Sequence, residues 1–211
     1  MTRRYGQLLF TPAARRHQQE HGSHRGYAAM TRGPAGADRL TADEAGFAAT
    51  RTSFYLASTS SSGWPYVQHR GGPPGFLRAT GDRTLAFADY RGNRQYITVG
   101  NLDGDDRVAL LLMDYPSRTR LKILGRARTA GAKDLPDGEV PMPPDGYRAK
   151  VERLVLVEVE AFDWNCPQHI EPRYTAAELE ETLAPMRERM AALERENARL
   201  RAGSPDPAGA G

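Results

Sequence analysis

One cysteine, Cys166, is all that the 211 residues contain. A lone thiol excludes an intrachain disulfide and a zinc cage of several thiolates. Long apolar runs are missing too: the longest is Val108–Met113, against the ~20 residues of a membrane-spanning helix. The opening stretch MTRRYGQLLFTPAARR lacks the apolar segment of a secretory signal, so no membrane is expected and a cytoplasmic location is. Walker loop, dinucleotide fingerprint and nucleophilic serine elbow are all absent. Charge of one sign does not dominate either, since the net value is +3. It is unevenly placed, however: seven arginines against Glu20 and Asp38 give residues 1–40 a charge of +5 and leave −2 on the rest. Such an arm can attract nucleic acid or another anion. No basic patch interleaved with aromatics follows it, so nucleic acid is not an expected partner.

Hydrophobic residues make up 39% of the chain, enough for one domain with an appendage. Residues 1–40 read as a basic arm with one short helix from Pro12 to about His21, capped by Thr11. Thr41-Ala-Asp-Glu44 is a capping box that starts a second helix, with Phe47 facing the core. From Phe54 the pattern turns to short strands: FYLAS, WPYVQHR after a turn at Ser60–Gly63, FLRAT paired with TLAFAD, DRVALLLMDY, RLKILGRART and LVLVEVEAFDW. Six or seven strands with turns this close predict an antiparallel barrel or sandwich, mainly β with flanking helices. One helix interrupts them, from about Gly92 to Leu102, and Ala130–Tyr147 reads as a surface loop. The domain spans residues 41–174. Residues 175–202 form a charged helix in which Leu179, Leu183, Met186, Met190, Leu193, Asn197 and Leu200 alternate by four and three, a heptad seam. Pro185 is expected to kink or begin it, leaving Met186–Leu200 as the firm part. The helix either packs on its own domain or pairs with a second copy, for which Asn197 at an a position favours a parallel, in-register arrangement. The tail, 203–211, is expected to be disordered.

Three segments carry more polar and glycine detail than folding requires. Gln68-His69-Arg70-Gly71-Gly72-Pro73-Pro74-Gly75 ends a strand with charge, then offers a backbone that a flat ligand can approach closely; it also suits a bulge and a turn. Asp89-Tyr90-Arg91-Gly92-Asn93-Arg94-Gln95 runs from a strand into a helix, where free amides and a guanidinium suit a phosphate. Trp164-Asn165-Cys166-Pro167-Gln168-His169-Ile170 provides an indole, an amide and an imidazole, a set for a planar heteroaromatic ring. His17, His21 and His24 share a helical spacing, but Gly22 and Ser23 interrupt it, and no metal site is expected.

The runs PYVQHRGGPPGF, FADYRGNRQYITVGN, VALLLMDYPSRTRLKILGRAR and FDWNCPQHI resemble the pyridoxamine 5′-phosphate oxidase-like FMN-binding family, over about Phe10 to Tyr174. Within it they resemble a subgroup carrying RGGPPGF, GNRQY and NCPQHI. The resemblance implies a split β-barrel that forms a two-fold dimer, with FMN at the interface. It implies that Gln68, His69, Arg70 and Gly71 line the ring or ribityl chain, and that Ala88 and Asp89 touch the flavin. Asn93 and Arg94 would hold its phosphate. Arg120 and Lys122 lie on the strand that faces the cofactor, while Trp164, Gln168 and His169 fall on the segment that the second subunit contributes. His69 and His169 are the groups whose chemistry suits proton transfer at neutral pH. The Lys closing the first family motif and the C-terminal Arg-x-His element are missing, which argues against oxidation of pyridoxine phosphate. The expected activity is therefore that of an FMN-dependent oxidoreductase on another small molecule, with NAD(P)H as candidate electron donor. The alternative is a protein that binds FMN or haem without turnover.

Overall fold

The computed structural model describes residues 1–131, 141–144, 146–165 and 167–203. The expected loop over Ala130–Tyr147 lies largely outside these residues, as do Cys166 and the tail beyond 203. The elements in chain order are α1 (Arg3–Leu9), α2 (Pro12–Glu20), α3 (His24–Met30), α4 (Ala42–Thr50), β1 (Ser53–Thr59), β2 (Pro65–Gly71), β3 (Leu77–Ala79), β4 (Thr84–Tyr90), α5 (Ile97–Gly104), β5 (Arg107–Asp114), β6 (Thr119–Ala130), β7 (Val151–Asn165) and α6 (Ala176–Gly203). Contacts divide the chain into Met1–Ile170, which holds the sheet and the first five helices, and Glu171–Gly211, which holds α6.

The seven strands form one sheet in the order β2-β1-β5-β6-β7-β4-β3, with every pair antiparallel. It curls into the half-barrel of the split-barrel fold. Strand alternation sets what each face carries. Phe54, Leu56, Leu110, Leu112, Leu121, Ile123 and Val157 form the main core on the inner face. Ala86, Ala88, Ala130, Leu154 and Leu156 form a smaller cluster on the reverse of β4 and β7. Phe54 joins the core aromatics, with ring centroids 5.7 Å from Phe76 and 5.1 Å from Phe87. Gly72 allows this: a Cβ there would lie 2.5 Å from the Phe76 ring. The second glycine of the RGGPPG run thus serves core packing.

The N-terminal segment departs from the expected single helix, because α1 and α3 flank α2. Gly6 disguises α1, since glycine is a poor helix former. It is needed because a Cβ would meet Thr31 at 2.6 Å. Asp38 accepts from the Thr2 hydroxyl (2.5 Å) and the Phe162 amide (3.0 Å), which ties this segment to β7. The helix expected from Gly92 begins five residues later, at Ile97. In the second unit α6 runs unbroken through Pro185. Pro185 removes one amide, yet its exposed setting lets water serve the freed carbonyl, and the Thr175–Glu178 capping box fixes the start.

The capping box of α4 is present as expected, and it does more than start a helix. Buried Glu44 accepts from the Thr41 hydroxyl (2.5 Å), the Thr41 amide (2.9 Å) and the Trp164 indole N–H (2.6 Å). Burial alone would push the Glu44 carboxyl up, but the bonds from Thr41 and Trp164 outweigh it and hold the group below its ordinary value of 4.5. A carboxyl lowered in the folded state stabilises the fold above its unfolded pKa and loses that effect as pH falls through the folded value. Glu44→Gln should therefore cost about 1–3 kcal/mol at pH 7, and the gap from the parent should narrow in acid below pH 4.5. Urea denaturation of both proteins at neutral and acid pH measures this; a gap that stays constant with pH contradicts it.

Candidate functional site

Alternation along β2 turns Tyr66, Gln68 and Arg70 toward the inner face, opposite Ser58, Leu56 and Phe54. β4 delivers Asp89 and Tyr90, and the turn Gly92–Tyr96 with the first residues of α5 closes the other side. Together they enclose a cavity of about 200 Å³. Two residues of that turn, Arg94 (φ 62°) and Tyr96 (φ 54°), adopt the left-handed conformation without being glycine. Such backbone costs of order 1–3 kcal/mol per residue and tends to occur at functional sites. The Asn93 side-chain carbonyl accepts from the Gln95 amide at 3.2 Å, which stabilises the turn.

Buried charge organises the cavity wall. Arg70 donates to Asp89 at 2.5 Å, with side chains only 13% and 9% exposed. Arg153 reaches the other Asp89 oxygen at 3.5 Å and Glu152 at 3.2 Å, and Arg91 pairs with Glu152 at 3.2 Å. Arg94 stands at the mouth, 3.4 Å from the Tyr96 hydroxyl. Four arginines against two carboxylates leave this cluster at a net +2. Gln68 accepts from the Thr98 hydroxyl at 2.8 Å, so its amide is fixed. Two donors on the wall are buried without a hydrogen-bond partner, Nε of Arg70 and the hydroxyl of Tyr90. Burial, then the neighbouring Tyr147, pushes the Tyr90 phenol up, so it is a protonated donor at neutral pH. An anion with several oxygens is the ligand such a wall can satisfy.

Of the thirteen residues singled out from sequence, the cavity brings together Gln68, Arg70, Asp89, Asn93 and Arg94. The others lie apart from it. His69 lies on the opposite face of β2, its ring edge-on to Tyr55 at 5.7 Å. Gly71 ends β2 beside the His69 ring. Ala88 is buried in the smaller cluster behind β4. Arg120 and Lys122 share the face of Met113 and Leu111, and Lys122 pairs with Asp163 at 2.7 Å. Trp164 faces the core, edge-on to Phe47 at 4.9 Å and bonded to Glu44. Gln168 and His169 are exposed in a turn after β7, with His169 at φ 62°. Tyr66, Tyr96, Thr98 and Glu152 also line the cavity and were not anticipated, and Tyr90, within the Asp89–Gln95 segment, joins them without having been given a role. Tyr66 could have been found from strand period alone, two residues before Gln68. Elsewhere, His17, Glu20 and His21 bring one ligand atom each to within 4.8 Å of one another, all exposed.

Arg70→Ala leaves Asp89 buried with Arg153 alone. Breaking a buried pair costs about 3–5 kcal/mol, and Arg153 places the expected loss near the lower end. Thermal denaturation of parent and variant checks this; an unchanged midpoint contradicts it.

Residues 40–152 match the family described as pyridoxamine 5′-phosphate oxidase. No curated protein matches the sequence. Among solved structures, an FMN-binding protein from Syntrophomonas wolfei is 12% identical, covering 57% of this chain and 81% of that one at a TM-score of 0.40. An FAD binding protein from Mycobacterium smegmatis is 14% identical, covering 61% and 97% at 0.39. The tagged HupZ protein from Group A Streptococcus is 12% identical, covering 64% and 99% at 0.45.

Proposed function

The chain belongs to the pyridoxamine 5′-phosphate oxidase family, and on that premise we propose that it is an FMN-dependent oxidoreductase acting on a small molecule other than pyridoxine phosphate. The observation that carries this reading is the cavity wall, where two buried donors, Nε of Arg70 and the hydroxyl of Tyr90, lack partners, while Arg91 and Arg153 behind the wall bring the surrounding cluster to a net +2. The phosphate of FMN supplies the charge and the oxygen acceptors that this wall lacks. Arg94 at the mouth would grip it, the Asn93 amide nitrogen would donate to it, and Gln68 is oriented to meet the ribityl chain. When bound, FMN supplies two-electron redox chemistry, while the protein contributes binding, orientation and electrostatics.

At about 200 Å³ the cavity is smaller than the ~300–1,000 Å³ of ordinary ligand pockets. One protomer would thus enclose only part of the cofactor, which supports a homodimer that completes the site. A separate apolar face, on the reverse of the sheet from this cavity, is the seat we propose for a second copy. There Tyr5, Tyr55, Val67, Ala109 and Leu111 line an apolar cleft of about 500 Å³, with Val67 61% exposed. His69, Arg120 and Lys122 project from this same face, so a second copy seated on it would gather them at the interface. Gln168 and His169, exposed after β7, are the residues of the last segment available to reach a partner's flavin.

No helix of the described residues is long and apolar enough to cross a membrane; a cytoplasmic location belongs to the proposal, supported by that and by the single cysteine. A second reading, binding of the flavin without turnover, draws on the make-up of the cavity: among its described lining residues none is a histidine, so no near-neutral acid or base faces it.

Arg94→Ala tests the phosphate assignment. Loss of a charge-assisted contact should weaken FMN affinity by about tenfold or more, read by flavin fluorescence quenching on titration. A variant that binds as tightly as the parent shows the phosphate to lie elsewhere.

A further inference from the structure

The seam of α6 is open to solvent along its length: Leu183 is 37% exposed, Met186 62% and Met190 60%. We propose that this seam is covered by α6 of a second copy of the chain, in a parallel, in-register coiled coil. This does not depend on the flavin reading.

Leu183, Met190 and Asn197 occupy a positions, and Leu179, Met186, Leu193 and Leu200 occupy d positions. The flanking e and g charges suit a parallel pair, and Asn197 decides the orientation. In a parallel pair each g residue faces the e residue five places further along the partner. Arg189 then meets the partner's Glu194, and Glu196 meets the partner's Arg201, each twice by symmetry. The remaining e positions, Glu180 and Arg187, would face the partner's Thr175 and Thr182, which are uncharged. Those two are the ones that satisfy each other within one helix, at 2.5 Å. In a parallel pair every charged e or g residue of α6 thus faces an opposite charge or an uncharged side chain.

The antiparallel arrangement with the longest overlap fails on two counts. There e faces e and g faces g, so Arg187 and Arg189 each meet their own counterpart in the partner, and Glu180 meets the partner's Glu194. Moreover, in any antiparallel pair an a residue faces a d residue. Asn197 would then oppose a leucine or methionine, leaving its amide buried and unpaired. In the parallel pair it faces the partner's Asn197 and the two amides bond to each other. Pro185 and Glu181, whose carbonyl loses its helical donor, fall at c and f, away from the seam.

The test uses the full chain with Cys166→Ser, so that Leu179→Cys introduces the single thiol. Parallel in-register pairing sets this d position against itself. In the antiparallel register of longest overlap the position opposes the partner's Asn197, eighteen residues along the helix, ~27 Å from its own copy. Equilibration in a glutathione redox buffer should yield a disulfide-linked dimer as the main species on a non-reducing gel. Adding Met190→Glu, which puts a charge into the seam, should cut the linked fraction by about tenfold or more, whereas Met190→Leu should preserve it. Helicity by circular dichroism confirms that each variant folds. A chain that stays unlinked, or that links as readily with Met190→Glu, overturns the proposal.

Discussion

A buried ion pair closes this fold. β2 stands at one edge of the sheet and β4 is next to the other edge, four strands lying between them. Arg70 and Asp89 nonetheless meet at 2.5 Å. They can do so only because the sheet curls until its margins approach. The Phe54, Phe76 and Phe87 rings fill the interior below them. Burying a charge pair gains little net stability by itself. What it fixes is register, since hydrophobic packing alone would tolerate a range of curvatures.

The same pair shapes the chemistry of the cavity. An isolated Asp89 would repel an anion, but Arg70 and Arg153 flank it, and the surplus positive charge falls to Arg94 at the mouth. Arg70 is thereby oriented by the Nη1 bond to Asp89, with Nε left without a partner. Preorganised donors of this kind avoid the reorganisation that a mobile side chain would need on binding. The backbone of Arg94 and Tyr96 in the left-handed region belongs to the same economy: strain in a short turn holds a guanidinium at the entrance.

Much of the sheet was legible in the sequence, because strand alternation and turn residues are local signals. The α4 capping box was legible for the same reason, although its link to Trp164, 120 residues away, was not. The assignment of a continuous run, Gln68 to Gly71, to one site meets a limit of strand geometry. Neighbouring residues in a strand point to opposite faces, so only Gln68 and Arg70 of that run reach the cavity. α1 escaped notice because Gly6 lowers helix propensity while serving the close approach to Thr31. The start of α5 was placed too early because Gly92–Tyr96 has the composition of a helix entrance, whereas its backbone forms a turn with two left-handed residues. Glu152 could not be anticipated, since only the pairing of β7 with β4 brings it there.

The most direct test of the flavin account is the absorption spectrum of the purified protein, reconstituted with FMN and desalted, before and after anaerobic addition of NADPH. The account predicts flavin bands that survive desalting and bleach on reduction. Bands that survive but do not bleach, with NADH as well as NADPH, would favour the binding role over the enzyme. A colourless protein that takes up no added FMN would contradict the central claim.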